Sequence, residues 1–176
     1  LHPLPFGPHR HENHAQRLER LLAKIKKLDP DFMTLQEVAT NWHAREQRWV
    51  DTGQIIAERT GMRYAHWRGE YANGFWKEGL AFFWKPDRIT FNDIGCSYYK
   101  TTRWRGPIKQ IKSLCQGTLT FSRGDQIRVY NTHLDIAAEW SEPQVQEMLA
   151  MISKPNISLP LVAAGDFNNG IGSPAI

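Results

Sequence analysis

No apolar run in this chain approaches the roughly 18–20 residues that a bilayer-spanning helix needs. The longest, Leu80-Ala81-Phe82-Phe83-Trp84, is the size of one strand. No signal peptide is visible, and one removed ahead of residue 1 leaves no trace. Two cysteines, Cys96 and Cys115, are too few for a disulfide scaffold and match no metal spacing, so pairing and compartment stay open. Internal repeats and low-complexity tracts are also missing. No Gly-x-Gly-x-x-Gly follows a strand and no P-loop occurs, which argues against a Rossmann dinucleotide site and P-loop phosphoryl transfer. The absence of Gly-x-Ser-x-Gly and His-Glu-x-x-His disfavours serine-hydrolase and zinc-protease chemistry. Neither cysteine sits in a nucleophile context.

What remains is a chain of 176 residues, 41% hydrophobic and 23% charged, enough for one substantial core in a single domain. Its formal charge of +4 permits an anionic ligand without naming one. The local pattern is more pointed. Lys100, Arg103, Arg105, Lys109 and Lys112 lie beside Tyr98, Tyr99 and Trp104, an interleaving that suits a phosphate-rich ligand or, as the plain alternative, a solvated loop. His2, His9, His11 and His14 resemble a metal-binding tract only loosely, and a surface-lying terminus explains them as well.

Leu18, Leu21, Leu22, Ile25 and Leu28 recur at three and four, predicting an amphipathic helix over 15–28 that lies on a sheet and is closed by Asp29-Pro30. Further helices are expected over 45–59, ending near Gly61, and over 142–152, with Ser141 as cap and Pro155 as stop. Strands are expected over 32–35, 64–67, 80–84, 89–91, 114–121, 127–130 and 159–164. Asn73-Gly74 and Gly124-Asp125 mark turns, the second favouring a hairpin. Alternating helices and apolar strands, with hairpins among them, imply an α/β protein built on a mixed sheet.

Three of these strands empty into polar clusters: Gln36-Glu37, Asn131-Thr132-His133-Leu134-Asp135 and Gly165-Asp166-Phe167-Asn168-Asn169. Strand ends are where α/β folds place their chemistry. Glu37 suits a hard divalent cation, being expensive to bury unpaired. Asp166 and Asn168 alternate around Phe167, so both can face one way while the ring faces the core. One can contact a metal or a water nucleophile while the other orients phosphate oxygens. His133 can accept a proton or donate one to a phosphoryl oxygen or leaving group. A carboxylate behind it would fix its tautomer; Glu78 and Asp135 are both candidates. The structural alternatives are a helix-capping Glu37, an Asx turn at Asp166 and Asn168, and a satisfied core histidine.

Taken in order, Leu35-Gln36-Glu37-Val38, Glu78-Gly79-Leu80-Ala81-Phe82-Phe83, "NTHLD" and "GDFNN" resemble the endonuclease/exonuclease/phosphatase superfamily from about residue 29 to 173. The resemblance implies a four-layer αββα sandwich of mixed, mainly antiparallel sheets, and Mg²⁺-assisted hydrolysis of a phosphate ester, with Mn²⁺ or Ca²⁺ as alternatives. It implies that Glu37 binds the metal, Glu78 supports His133 at the phosphate, Asp166 orients or activates water, and Asn168 contacts phosphate and metal. Superfamily members act on DNA, RNA, phosphoinositides or sphingomyelin. A nuclease-like phosphodiesterase is the leading expectation. A lipid phosphatase or phospholipase and a non-catalytic binding module are the alternatives. The family's opening strand, with its asparagine, and its closing Ser-Asp-His segment have no counterpart in residues 1–176. The segment is therefore expected to be a partial domain of weak or no activity alone, completed by further sequence or another chain.

Overall fold

The computed structural model describes residues 14–43, 47–72, 76–105, 108–153 and 158–169. His2, His9, His11, the Asn73-Gly74 turn and Pro155 lie outside them. The chain first forms α1 (His14–Leu28), whose spacing turns Leu18, Leu22 and Ile25 inward while Leu28 stays exposed. It then runs through β1 (Phe32–His43), β2 (Arg48–Asp51), α2 (Thr52–Thr60), β3 (Arg63–Ala72) and β4 (Trp76–Trp84). These strands make one sheet in the order β2-β1-β4-β3. The second half adds β5 (Ile89–Tyr98), a short ribbon of β6 (Arg103–Arg105) and β7 (Ile108–Gln110), then β8 (Ser113–Phe121), β9 (Gln126–His133), α3 (Ala138–Ser153) and β10 (Leu161–Asp166). Its sheet has the order β10-β9-β8-β5, antiparallel except where β10 runs parallel to β9.

Side-chain alternation stacks the layers. On β4, Ala81 and Phe83 point to one face and pack with Leu22 of α1 and Ile56 of α2. Leu80, Phe82 and Trp84 point to the other and meet Phe91, Leu119 and Val129 of the second sheet. That sheet's far face carries Leu114 and Tyr130, covered by Val145 and Met148 of α3. Helices, sheet, sheet and helix thus form the αββα sandwich, with the aromatic centre of Phe82, Phe91 and Trp84 between the sheets.

Two expected helix boundaries move, and several strands run longer than expected, β1 to His43 and β5 to Tyr98 among them. The helix read over 45–59 is divided: Arg48–Asp51 pairs with the far end of β1, Trp49 packing edge-on to Trp42, and only then does α2 begin. Asp51 decides that start, because its carboxylate accepts from the Gly53 and Gln54 amides; Gly61, at φ 70°, ends the helix. The last helix begins earlier than residue 142, and Ser141 lies buried inside it, donating to Asn169 Oδ1 rather than capping. Cys96 and Cys115, opposite one another on β5 and β8, form a disulfide.

Candidate active site

The polar end of the sandwich is built by breaks in strand regularity. β1 carries one extra residue between Leu35 and Val38 relative to β4, and within this bulge Glu37 takes φ 52°. β3 has a second irregularity between Trp67 and Tyr71, opposite the same stretch of β4. Between the two lies Gly79, where a Cβ would stand 1.8 Å from the Trp67 carbonyl oxygen, so a side chain there would push the β3 bulge off the sheet. Bulges re-aim side chains that a regular ladder would send elsewhere. One bulge presents Glu37 and the other presents Glu70.

On β9, alternation sends Val129, Asn131 and His133 between the sheets, and both polar residues are almost wholly buried. His133 is 3% exposed, with its Nδ1 2.9 Å from Oε2 of Glu70, itself 3% exposed. The other Glu70 oxygen accepts from the Ser113 amide at 3.1 Å and the Ser113 hydroxyl at 2.8 Å. A carboxylate satisfied this way fixes the imidazole with its proton on Nδ1, which leaves Nε2 as the working nitrogen. Lys112 Nζ stands beside the ring between its nitrogens, 2.8 Å from Nε2 and 3.0 Å from Nδ1.

The carboxylate behind His133 is therefore Glu70, and neither expected partner fills that place. Glu78 sits opposite Ala39 and Tyr71 in the ladder, and its Oε2 accepts from the Trp76 indole at 3.1 Å. Asp135 is buried against Arg103, 3.1 Å away, and accepts from the Ala137 amide. Glu70 escaped notice in the sequence because the bulge breaks the period-two pattern around it. Its one local signal is a carboxylate beside Gly69 where a strand loses its alternation.

Asn131 is a second site residue that the sequence motifs alone do not single out. Fully buried, it donates to the Leu35 and Ala81 carbonyls and accepts from Gln36 Nε2 at 2.7 Å. It ties the second sheet to Ala81 of β4 and to Leu35 and Gln36 of β1, immediately ahead of Glu37. Its signal lay in the alternation Val129-Asn131-His133, which puts an amide on an apolar face.

β10 delivers the rest. Asp166 is level with His133 in the parallel ladder, and its backbone oxygen accepts from the Leu134 amide. Its exposed carboxylate accepts from the Asn168 amide at 3.0 Å, the Asx turn that the sequence allowed. Asn168, at φ 51°, donates Nδ2 to the Leu134 carbonyl at 2.8 Å, so Oδ1 is the atom it has to offer a ligand. His133, Asp166 and Asn168 are thus brought together at the ends of β9 and β10, while Glu37 stands on the facing sheet, next to the Gln36 that Asn131 holds.

The basic stretch flanks this end. Burial pushes Glu147 up, but the Thr101 hydroxyl and the Lys100 and Thr101 amides hold it below its ordinary range, fixing the loop that enters β6. From the other side of the ribbon, the Ile111 amide donates to the Glu70 carbonyl. Trp104 is 64% exposed, opposite Lys109 in the ribbon.

Among the described residues, no group of three or more His, Cys, Asp and Glu side chains converges as a metal cage. Mg²⁺ does not require one: it keeps several waters and takes one or two carboxylates. A hard carboxylate displayed on a bulge, as Glu37 is, fits that demand.

Comparison with known proteins decides the ancestry. The family model described as the Endonuclease/Exonuclease/phosphatase family matches residues 10–174. The chain belongs to this family. Its members are hydrolytic phosphoesterases, and the chain carries their fold. No curated protein sequence matches it. Among solved structures, the human Nocturnin catalytic domain with bound sulfate is similar at TM-score 0.66 and 23% identity, over 89% of this chain and 58% of that one. An endonuclease/exonuclease/phosphatase family protein from Bacteroides thetaiotaomicron is similar at TM-score 0.71 and 16% identity, over 97% and 62%. D. rerio TDP2, complexed with a single-strand DNA product, is similar at TM-score 0.65 and 18% identity, over 91% and 56%. The chain thus spans less than two thirds of each of these relatives.

Proposed function

We propose that this chain supplies most of the active site of a divalent-metal-dependent phosphodiesterase that acts on nucleic acid. The observation that carries the reading is the buried Glu70–His133 pair with the Lys112 ammonium beside the imidazole. Glu70 keeps a proton on Nδ1, so Nε2 can take up a proton and, as imidazolium, donate it to a phosphoryl oxygen or the leaving group. The Lys112 ammonium places positive charge where a phosphate would meet that nitrogen, favouring the charge that grows on its oxygens. Asp166, at the solvent edge beside His133, orients or deprotonates the attacking water. Asn168 Oδ1, steadied by the bond from Nδ2 to Leu134, would be offered to the metal, since an amide oxygen only accepts. Glu37 would hold Mg²⁺, or Mn²⁺ or Ca²⁺ in its stead, and the ion would neutralise phosphoryl oxygens.

Nucleic acid is favoured over a lipid headgroup by the ribbon: a single exposed indole among cations suits base stacking more than insertion into a bilayer. Among the described residues, no helix is long and apolar enough to cross a membrane. The similarity to TDP2 bound to single-strand DNA supports the same reading.

The test measures hydrolysis of single-stranded DNA, RNA and phosphoinositide, with and without Mg²⁺, by residues 1–176 and by the natural full-length form. Cleavage of a nucleic acid, lost with EDTA and reduced about 10²-fold or more by His133→Ala, is expected of the full-length form. Cleavage of phosphoinositide alone would move the substrate to lipid. Inertness of both forms on all three substrates would leave a binding module.

A further inference from the structure

We propose that His66, braced by Asp51, is a positioning residue that fixes the β1 bulge carrying Glu37; this rests on Glu37 being the metal-binding carboxylate. His66 does not reach the site. It lies on the helix-facing side of the first sheet, its side chain 1% exposed. It belongs to β3, yet its Nε2 is 2.9 Å from the carbonyl oxygen of Val38 on β1, a strand with β4 between them. The small residues Ala81 and Gly79 on β4 leave room for the ring to cross. A carbonyl only accepts, so Nε2 carries the hydrogen. The bond clamps the residue directly after Glu37, where the ladder slips by one residue.

Asp51 organises this side of the sheet. Its Oδ1 is 3.4 Å from His66 Nδ1, a contact that closes no hydrogen bond and leaves Nε2–Val38 as the ring's one bond, and its Oδ2 pairs with Arg68 and accepts from Tyr64. Arg68 in turn donates from Nε to the Thr40 hydroxyl at 3.1 Å. One largely buried carboxylate thus gathers three side chains of β3, and two of them, His66 and Arg68, grip β1 just past the bulge, at Val38 and at Thr40. A filler position would be served by an apolar side chain, since an imidazole is costly to bury unless its nitrogens face acceptors. The polar arrangement makes sense if the position of residues 37–40 is what it secures, as outer groups orient a metal ligand.

The test compares wild type with His66→Phe, His66→Gln, Asp51→Asn and Glu37→Gln. Phe fills the volume without a donor, Gln keeps an amide donor, and Asn keeps the helix cap without the charge. Mg²⁺ affinity is read by isothermal titration, and backbone exchange of the amides of 36–41 on the metal-free protein. His66→Phe is expected to weaken Mg²⁺ roughly 10- to 100-fold and to speed exchange at 36–41, with Asp51→Asn following it and His66→Gln largely restoring both. Unchanged affinity and local exchange in His66→Phe, with only a lowered melting temperature, would overturn the brace. Glu37→Gln separates the two ideas. If it leaves Mg²⁺ binding intact, or wild type binds none, Glu37 is not the ligand and the proposal falls with that reading, while the exchange data still show whether His66 holds the bulge.

Discussion

Replacing Glu70 by glutamine puts two requirements of the same side chain in conflict. One oxygen accepts twice from Ser113, and the other accepts from His133 Nδ1. A carboxylate meets both; an amide has one oxygen and one NH₂. If the amide oxygen stays on Ser113, the NH₂ faces Nδ1 and forces it to accept, which moves the ring proton to Nε2 and removes the base. The equivalent fault in a serine protease, an aspartate turned to asparagine behind its histidine, lowers kcat about 10⁴-fold. Given the 10²- to 10⁴-fold range for general acid–base catalysis, Glu70→Gln should raise the barrier by about 2.7–5.4 kcal/mol at 1.36 kcal/mol per decade. If the amide flips instead, the NH₂ faces the buried Ser113 amide, and the unsatisfied pair costs about 1–3 kcal/mol of stability. At 2–4 °C per kcal/mol for a chain of this size, the melting temperature falls by roughly 2–12 °C.

Activity should thus fall with stability kept, or stability should fall with part of the activity kept. The assay pairs kcat/KM of the full-length protein at saturating Mg²⁺ with thermal melting and ¹⁵N shifts of the His133 ring, which report the tautomer directly. A Glu70→Gln variant unchanged in both rate and melting temperature would refute the reasoning. So would a Glu78→Gln variant that alone shifts the His133 tautomer.

Lys112→Ala should lower kcat/KM at least tenfold, with Lys112→Arg recovering part of the loss, measured at low and high salt to separate local charge from steering. Asn131→Ala strands the Gln36 amide and two buried carbonyl bonds, so chemical denaturation should show a loss of about 2–4 kcal/mol, larger than a single surface bond would give. Asp51 is pushed up by burial but held well below the carboxylate range by its contacts with His66 and Arg68. A depressed carboxylate stabilises the fold above its unfolded pKa, near 3.9, and loses that contribution as pH falls through the folded value. Asp51→Asn should therefore flatten the decline of melting temperature below about pH 4, and an unflattened profile would count against the cluster.

Much of this protein is written locally. The three-and-four spacing in α1 and the alternation in β4 and β9 each describe a face that must be buried, and burial fixes which way each side chain points. The same alternation puts His133 between the sheets, while the parallel pairing of β10 with β9 brings Asp166 to its side. The resemblance carried by the four ordered motifs named the family, and its αββα sandwich is the fold observed.

What the local pattern missed lies where a strand departs from its own rule. β1 was expected to stop before Gln36, because a bulge there ends the alternation, yet the strand continues to His43. Arg48–Asp51 was read as helix because its strand pairing is with a segment that was not seen as a strand. Glu70 and Glu78 are both acids near glycines on neighbouring strands, and nothing within either segment says which one reaches His133. Residue order, charge and periodicity determined the layers and the polar strand ends. The partnership of Glu70 with His133 was decided only by the irregularity in β3 and the stacking of two sheets, because a bulge changes the direction of a side chain while leaving its composition and neighbours in sequence untouched.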